Sequence, residues 1–236
     1  MSEIAVVLLS GGMDSAVTAA IAKESGYEIA CLHLNYGQKT EKRELKQFDE
    51  LSTHFGAVSS MVTDVRFLSQ IGGSSLTDER IEITDANLDS TEIPSSYVPF
   101  RNDNILAKAT SWAEVIGATA LFIGAVYEDS SGYPDTRRDF FDAFEKVINK
   151  GTKPETNIKI ITPIINLGKD EIIKKGLELE VPFEKTWSCY KNNEKACGKC
   201  DSCGLRLRAY EKVGISDPIE YEFRKKLSFV LELNYA

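Results

Sequence analysis

The residues best suited to chemistry fall into two clusters, one near each end of the chain. The first is Ser10-Gly11-Gly12-Met13-Asp14-Ser15, which directly follows an apolar run from Ile4 to Leu9. A glycine pair after a strand lets the backbone approach a ligand closely, and the N-terminus of a following helix offers unpaired N–H groups and a partial positive charge to an anion. Ser10 and Ser15 add hydroxyl donors. The phosphate loop of kinases and GTPases needs a lysine before its Ser or Thr, and the dinucleotide fingerprint needs a third glycine. Neither is present here. What remains is a loop suited to a pyrophosphate group, with Asp14 placed either to bind its Mg²⁺ or to cap the helix. The bland alternative is a tight strand-to-helix connection without a ligand.

The second cluster is Cys189, Cys197, Cys200 and Cys203, spaced C-x7-C-x2-C-x2-C within fifteen residues. Loops this short can wrap four thiolates round one tetrahedral ion at about 2.3 Å each, and zinc is the first choice. The run C-x2-C-x2-C also occurs in iron-sulfur proteins, so a cluster is the competitor. Four protein ligands leave no open position, which makes the expected site structural. Cys31 stands alone in an apolar strand and reads as a small buried hydrophobe. His33 ends the same strand near the edge where nucleotides bind in α/β sheets, and His54 reads as a surface residue.

The order of elements places both clusters. Apolar strands at Ile4 to Leu9, Ile29 to Leu34, Ala57 to Val62, Ala120 to Val126 and Ile158 to Ile161 alternate with helical patterns. The helices are expected after the first loop up to Gly26, then at Thr40 to Phe55, Asn104 to Ile116, Phe140 to Ile148 and Lys169 to Leu179. Such alternation implies an α/β fold with a doubly wound parallel sheet covered on both faces. The expected organisation is one domain, with 1–185 as the nucleotide-binding core and 186–236 as a four-cysteine helical segment and tail packed upon it. The stretch from Asp64 to Phe100 breaks the rhythm and reads as a lid or substrate loop, with plain disorder as the alternative.

At 236 residues and 42% apolar content the chain supports one sizeable core. A net charge of −8 leaves little basic surface for the many phosphate contacts that tRNA or DNA requires, which favours a small-molecule substrate. No apolar run reaches membrane-spanning length, and no basic flank precedes the first apolar run. The expected location is therefore the cytoplasm, without direct nucleic-acid or membrane binding.

Ser-Gly-Gly-x-Asp-Ser after a first strand resembles the PP-loop ATP pyrophosphatases. Five further segments narrow the likeness: Val98-Pro99-Phe100-Arg101-Asn102, Trp112-Ala113-Glu114, Ser131-Gly132-Tyr133-Pro134-Asp135, Thr186-Trp187-Ser188-Cys189-Tyr190, and the run from Cys197 to Cys203. Together they resemble the 7-cyano-7-deazaguanine synthase family, from about Ile4 to Tyr221. The resemblance implies an adenine nucleotide alpha-hydrolase-like sheet and an ATP-dependent carbon-nitrogen ligase. Its substrates would be 7-carboxy-7-deazaguanine and ammonia, its cofactors ATP, Mg²⁺ and Zn²⁺, and its assembly a homodimer.

Carried onto this chain, ATP falls to Leu8, Leu9, Ser10, Gly11, Gly12, Met13, Asp14, Ser15, Ala16 and Val17. Asp14, Ser15, Arg101 and Asp135 are the expected catalytic group, with Arg101 matched to a phosphate or carboxylate. Asp135 and Glu128 are placed to bind Mg²⁺, to read a guanine-like edge or to accept a proton from ammonium. Tyr133 or Phe140 is expected to stack on a flat base or simply to pack. Two positions depart from the family pattern: Phe100 replaces a commoner glycine, and Thr136 replaces a cysteine. The rival readings are a tRNA-thiolating PP-loop enzyme, which calls for a basic RNA-binding appendage, a non-catalytic nucleotide-binding regulator, and an amide-forming relative that makes no nitrile.

Overall fold

The computed structural model describes residues 2–88, 92–126 and 133–223. Strands β1 (Ile4–Leu8), β2 (Glu28–Asn35), β3 (Ser59–Asp64), β4 (Ala120–Ile123) and β5 (Lys159–Ile161) form one parallel sheet in the order β3-β2-β1-β4-β5. The helices are α1 (Met13–Glu24), α2 (Glu41–His54), α3 (Phe67–Ile71), α4 (Arg101–Ile116), α5 (Arg138–Gly151), α6 (Lys169–Glu178) and α7 (Asp201–Val213).

Apolar residues on both sides of each central strand explain the two covered faces. Val6, Leu8, Leu32, Leu121 and Ile123 pack with Leu106 and Ala109 of α4 and Phe141 of α5. The alternate residues Ala5, Val7, Ile29, Cys31 and Phe122 pack with Val17 of α1, Leu51 of α2, Ile172 of α6 and Tyr210 of α7. The thiol of Cys31 is pushed up to about 11 by burial, as suits a packing residue rather than a nucleophile.

The strand order reverses between β1 and β4, because β2 and β3 lie to one side and β4 and β5 to the other. Ligands in open α/β sheets bind in the crevice that this reversal opens at the carboxyl ends of the strands. Here the crevice begins at Leu8 and Ile123, the last paired residues of β1 and β4.

Several boundaries differ from the sequence pattern, and three of them have a clear local reason. β3 starts two residues late because Ala57 N still donates back to Ser52 O in the turn after α2; Val58 N makes the first bond to β2, at Ile29 O, and the paired register begins at Ser59. β4 stops at Ile123 rather than Val126, since the next residue, Gly124, lies against α1. An added Cβ there would sit 3.0 Å from both the Asp14 carbonyl carbon and Thr18 Oγ1. α4 begins at Arg101, ahead of the expected Asn104, because Asp135 supplies a cap that no local sequence signal announces.

The segment after β3 is packed and tied down where it is described. Leu68, Leu76, Ile83 and Val98 are buried in the core on the α4 side. Ala86 N donates to Lys199 O (2.8 Å), and Lys191 pairs with Asp85 (3.3 Å), so the excursion is fastened to the cysteine segment. No helix among the described residues is long and apolar enough to cross a membrane.

Candidate active site

The first loop folds on itself before any ligand arrives. Ser15 Oγ donates to Gly12 O (2.9 Å) and accepts from Ser10 N (3.2 Å). Ser10 Oγ lies 3.1 Å from Ser15 Oγ and accepts from Gly12 N (3.2 Å). Gly11 has φ +87°, and a Cβ there would lie 2.7 Å from Glu44 O, so only glycine fits. Its carbonyl accepts from Trp187 N (2.8 Å), which joins the loop to the cysteine segment. No side chain caps α1. Its first-turn N–H groups, which have no partner within the helix, face the crevice.

Asp14 sits in that first turn. Its Oδ2 accepts from Lys169 Nζ at 2.6 Å, while Oδ1 is buried without a hydrogen-bond partner. Lys169 opens α6, and the sequence reading gave it no role.

A single cavity runs from this loop to a second cation, Arg101, the first residue of α4. The guanidinium lies 5.4 Å from the centre of the Tyr36 ring, and Tyr133 and Tyr190 stand near it. Burial works against its charge, but these phenols and Asp135 outweigh that cost and hold the pKa above its usual value. Burial, followed by the charge of Glu44, pushes the Tyr36 phenol up. Arg101 forms no ion pair within contact distance among the described residues.

The clamp beneath Arg101 comes from Asp135. Its Oδ2 accepts from Asn102 N (3.0 Å), and its carbonyl accepts from Asn102 Nδ2 (2.8 Å). Asp135 is buried, and its observed contacts cap α4 from outside the helix. Asp103, one residue further along, is buried with Oδ2 unpartnered, and burial pushes its carboxyl up to about 6 with help from the Asp135 charge.

Within the nucleotide stretch, Leu8, Leu9, Ser10, Gly12, Met13, Asp14 and Ser15 line the cavity. Ala16 and Val17 face the core instead. Tyr133 and Thr136 line it, with Thr136 Oγ1 donating to Tyr133 O (2.9 Å), whereas Phe140 packs against Phe141 and Phe144. His33 is buried beneath Phe48, with one ring nitrogen 3.1 Å from Leu9 O and the other 3.1 Å from the Asn35 amide. It does not reach the cavity, and His54 is exposed. Glu128, Ser131 and Gly132 lie outside the described residues.

Sequence reasoning missed Tyr36, Glu44, Gly124, Lys169 and Arg206 as cavity-lining residues. They lie just past β2, on α2, just past β4, on α6 and on α7, and share no spacing.

The four cysteines converge as their spacing implied. All are buried and reduced, with sulfurs within 4.8 Å of one another. Cys197 Sγ and Cys203 Sγ are 3.9 Å apart, close to the edge of about 3.8 Å that a tetrahedron of zinc-thiolate bonds would have. Backbone N–H groups of Lys191, Asn192 and Cys197 donate to Cys189 Sγ at 3.3–3.4 Å, and those of Lys199 and Cys200 to Cys197 Sγ. Such donors favour thiolates. Left to themselves the thiols share protons: hydrogen bonds from Cys200 and Cys203 pull Cys189 down, while Cys200 and Cys203 are pushed up. A cation removes that conflict, so the donor set fits a thiophilic metal.

The metal-ligand segment is also a wall of the cavity. Ser188 and Tyr190 flank Cys189, Ser202 precedes Cys203, and all three line the same space. Arg206 on α7 secures the segment. It pairs with Asp217 through two contacts of 2.7 and 2.9 Å and donates to Thr186 Oγ1 (2.7 Å), and Tyr221 Oη donates to Asp217 (2.6 Å). Both members of the ion pair are essentially fully buried.

Comparison with known proteins agrees with this geometry. The family described as "Queuosine biosynthesis protein QueC" matches residues 4–214. The chain belongs to the QueC family. A relative from Chloroherpeton thalassium named 7-cyano-7-deazaguanine synthase is 61% identical over 93% of this chain and 97% of its own length. Another of that name, from Chlorobium chlorochromatii, is 57% identical over 93% and 96%. Among solved structures, one described as a "predicted subunit of tRNA methyltransferase" from Methanocaldococcus jannaschii matches with TM-score 0.51 at 16% identity, covering 96% of this chain and 94% of that one. At that identity the likeness speaks for the fold alone.

Proposed function

We propose that the protein is a 7-cyano-7-deazaguanine synthase acting in queuosine precursor biosynthesis. ATP activates the carboxylate of 7-carboxy-7-deazaguanine, ammonia displaces the activated oxygen to give the amide, and a second activation lets the amide oxygen depart as the nitrile forms. A carboxylate or amide oxygen is a very poor leaving group, whereas one bonded to phosphorus leaves with its phosphate. The observation that carries this reading is one cavity joining an anion-binding helix start to a half-buried arginine that has no ion pair among the described residues. The two relatives of the same name support it.

In this reading the open N–H groups of α1, with Ser10 and Ser15, hold the ATP phosphates. Asp14, through its unpartnered Oδ1, would hold Mg²⁺, which would supply positive charge beside the ATP phosphates. Lys169 keeps Asp14 in position. Arg101 holds the substrate carboxylate or the phosphate that it attacks, and Asp135 fixes Arg101 by capping α4. The four cysteines hold Zn²⁺ in a structural role, and the protein works as a cytoplasmic homodimer without binding nucleic acid directly.

The decisive experiment is mass spectrometry of products after incubation with ATP, Mg²⁺, ammonium and 7-carboxy-7-deazaguanine. Nitrile formation is the expected result. Amide alone would reassign the protein to an amide-forming relative, and no product at all would sink the reading. Elemental analysis should find one zinc per chain, and a coloured, iron-containing protein would replace zinc with a cluster.

A further inference from the structure

The cavity contains two opposite charges that do not pair with each other. Arg101 is one, and Glu44 on α2 is the other. Both neighbour Tyr36, Arg101 over its ring and Glu44 close enough to act on its phenol. Glu44 is held by neutral donors: Thr40 Oγ1 donates to Oε1 (2.7 Å), and Gln38 Nε2 donates to Oε2 (3.0 Å). Gln38 is itself fixed, because its Oε1 accepts from Tyr36 N (2.9 Å). Gln38 and Thr40 are both buried, so the carboxylate is oriented from beneath.

Each carboxylate oxygen therefore accepts one hydrogen bond from the protein and keeps another acceptor position open. No cation of the described residues pairs with it. A carboxylate set into a pocket wall in this way offers two parallel acceptors and no donor. Adenine presents one donor beside one acceptor on its pairing edge, and so matches only half of that pattern. A guanine-type ring presents two adjacent donors, the ring N–H and the exocyclic amino group, and matches both.

We propose that Glu44 is the specificity-determining residue that reads the two-donor edge of the deazaguanine ring, while Arg101 engages the anionic group carried on the opposite side of that ring. This rests on the synthase reading, since it concerns how that substrate is told from other flat bases. Glu44 binds and orients. It takes no proton in the reaction.

The test compares wild type with Glu44→Gln on 7-carboxy-7-deazaguanine and on the analogue lacking the exocyclic amino group. Glutamine keeps the shape but turns one acceptor into a donor, which then opposes a substrate donor. A site built to hydrogen-bond its substrate discriminates strongly, so wild type should prefer the amino-bearing ring by about 100-fold or more in kcat/KM. Glu44→Gln should raise KM for that ring about 100-fold, bring the preference to within about 5-fold, and leave KM for ATP within about 2-fold. A preference that survives in Glu44→Gln, or an equal rise in KM for ATP, overturns the proposal while the synthase reading stands. A wild type that makes no product from 7-carboxy-7-deazaguanine overturns the synthase reading and this proposal with it. Should Glu44→Gln not fold, Thr40→Val removes one of the two supporting hydrogen bonds, and the same KM should rise about 5- to 10-fold; an unchanged KM there also overturns the proposal.

Discussion

Asp14 has one carboxylate oxygen bound to Lys169 and the other buried with nothing to bind. The unpartnered oxygen leaves Asp14 with an acceptor position at the start of α1, beside the cavity. Asp14→Ala is expected to lower turnover by about 10³-fold or more while metal content stays unchanged, since the thiol centre lies elsewhere. Steady-state kinetics with elemental analysis on the same preparation checks both halves. Asp103 offers a test of a different kind. Its carboxyl is raised by burial from 3.8 to about 6, so its contribution to stability is fully present below the ordinary value and is lost as pH rises through 6. Asp103→Asn should therefore be more stable than wild type above pH 6, by on the order of 1 kcal/mol after solvent screening. The difference should shrink toward pH 5, as read by urea unfolding at several pH values. Ser10 to Ser15 and the four cysteines were legible in the sequence because their chemistry is local and tightly spaced. Lys169 and Glu44 were not, because each is an ordinary helix-surface type until folding turns it inward.

Helices and strands were legible where burial imposes a period and blurred where a tertiary partner sets the boundary. α2 is a good case of the first, falling between its Thr40 and Phe55 flanks as expected. α4 is the second. Phe100 precedes it with φ 57°, ψ 30°, a left-handed conformation that costs a non-glycine residue about 1–2 kcal/mol, and its ring is 63% exposed. The Asp135 clamp on Asn102 holds this turn despite the cost, so a phenylalanine can stand where a left-handed backbone ordinarily favours glycine. Phe100→Gly is expected to stabilise the protein by about 0.5–1 kcal/mol, measured by chemical denaturation. Gly124→Ala should do the opposite. Its methyl group would press on the backbone of Asp14, costing about 1–3 kcal/mol and weakening ATP binding measured by calorimetry.

At the scale of the whole molecule, the parallel sheet was readable because each strand is apolar and each crossover is helical. The joining of the cysteine segment to the cavity was not. It depends on contacts such as Lys185 O accepting from Gln47 Nε2 (2.7 Å), between residues that nothing in the sequence pattern relates. The structure makes the thiol centre a wall of the site through Ser188, Tyr190 and Ser202. Stripping the metal with a chelator should lower the thermal unfolding midpoint by roughly 10 °C or more and expose four additional reactive thiols. Affinity for the carboxylate substrate should fall further than affinity for ATP, and calorimetry on the stripped and reloaded protein distinguishes the two. The hydrogen bond from Trp187 N to Gly11 O bears on how the chain is made. Synthesis reaches Gly11 176 residues before Trp187, so one carbonyl of the loop must wait for its partner. During that interval the loop lacks one of the contacts that set its folded geometry.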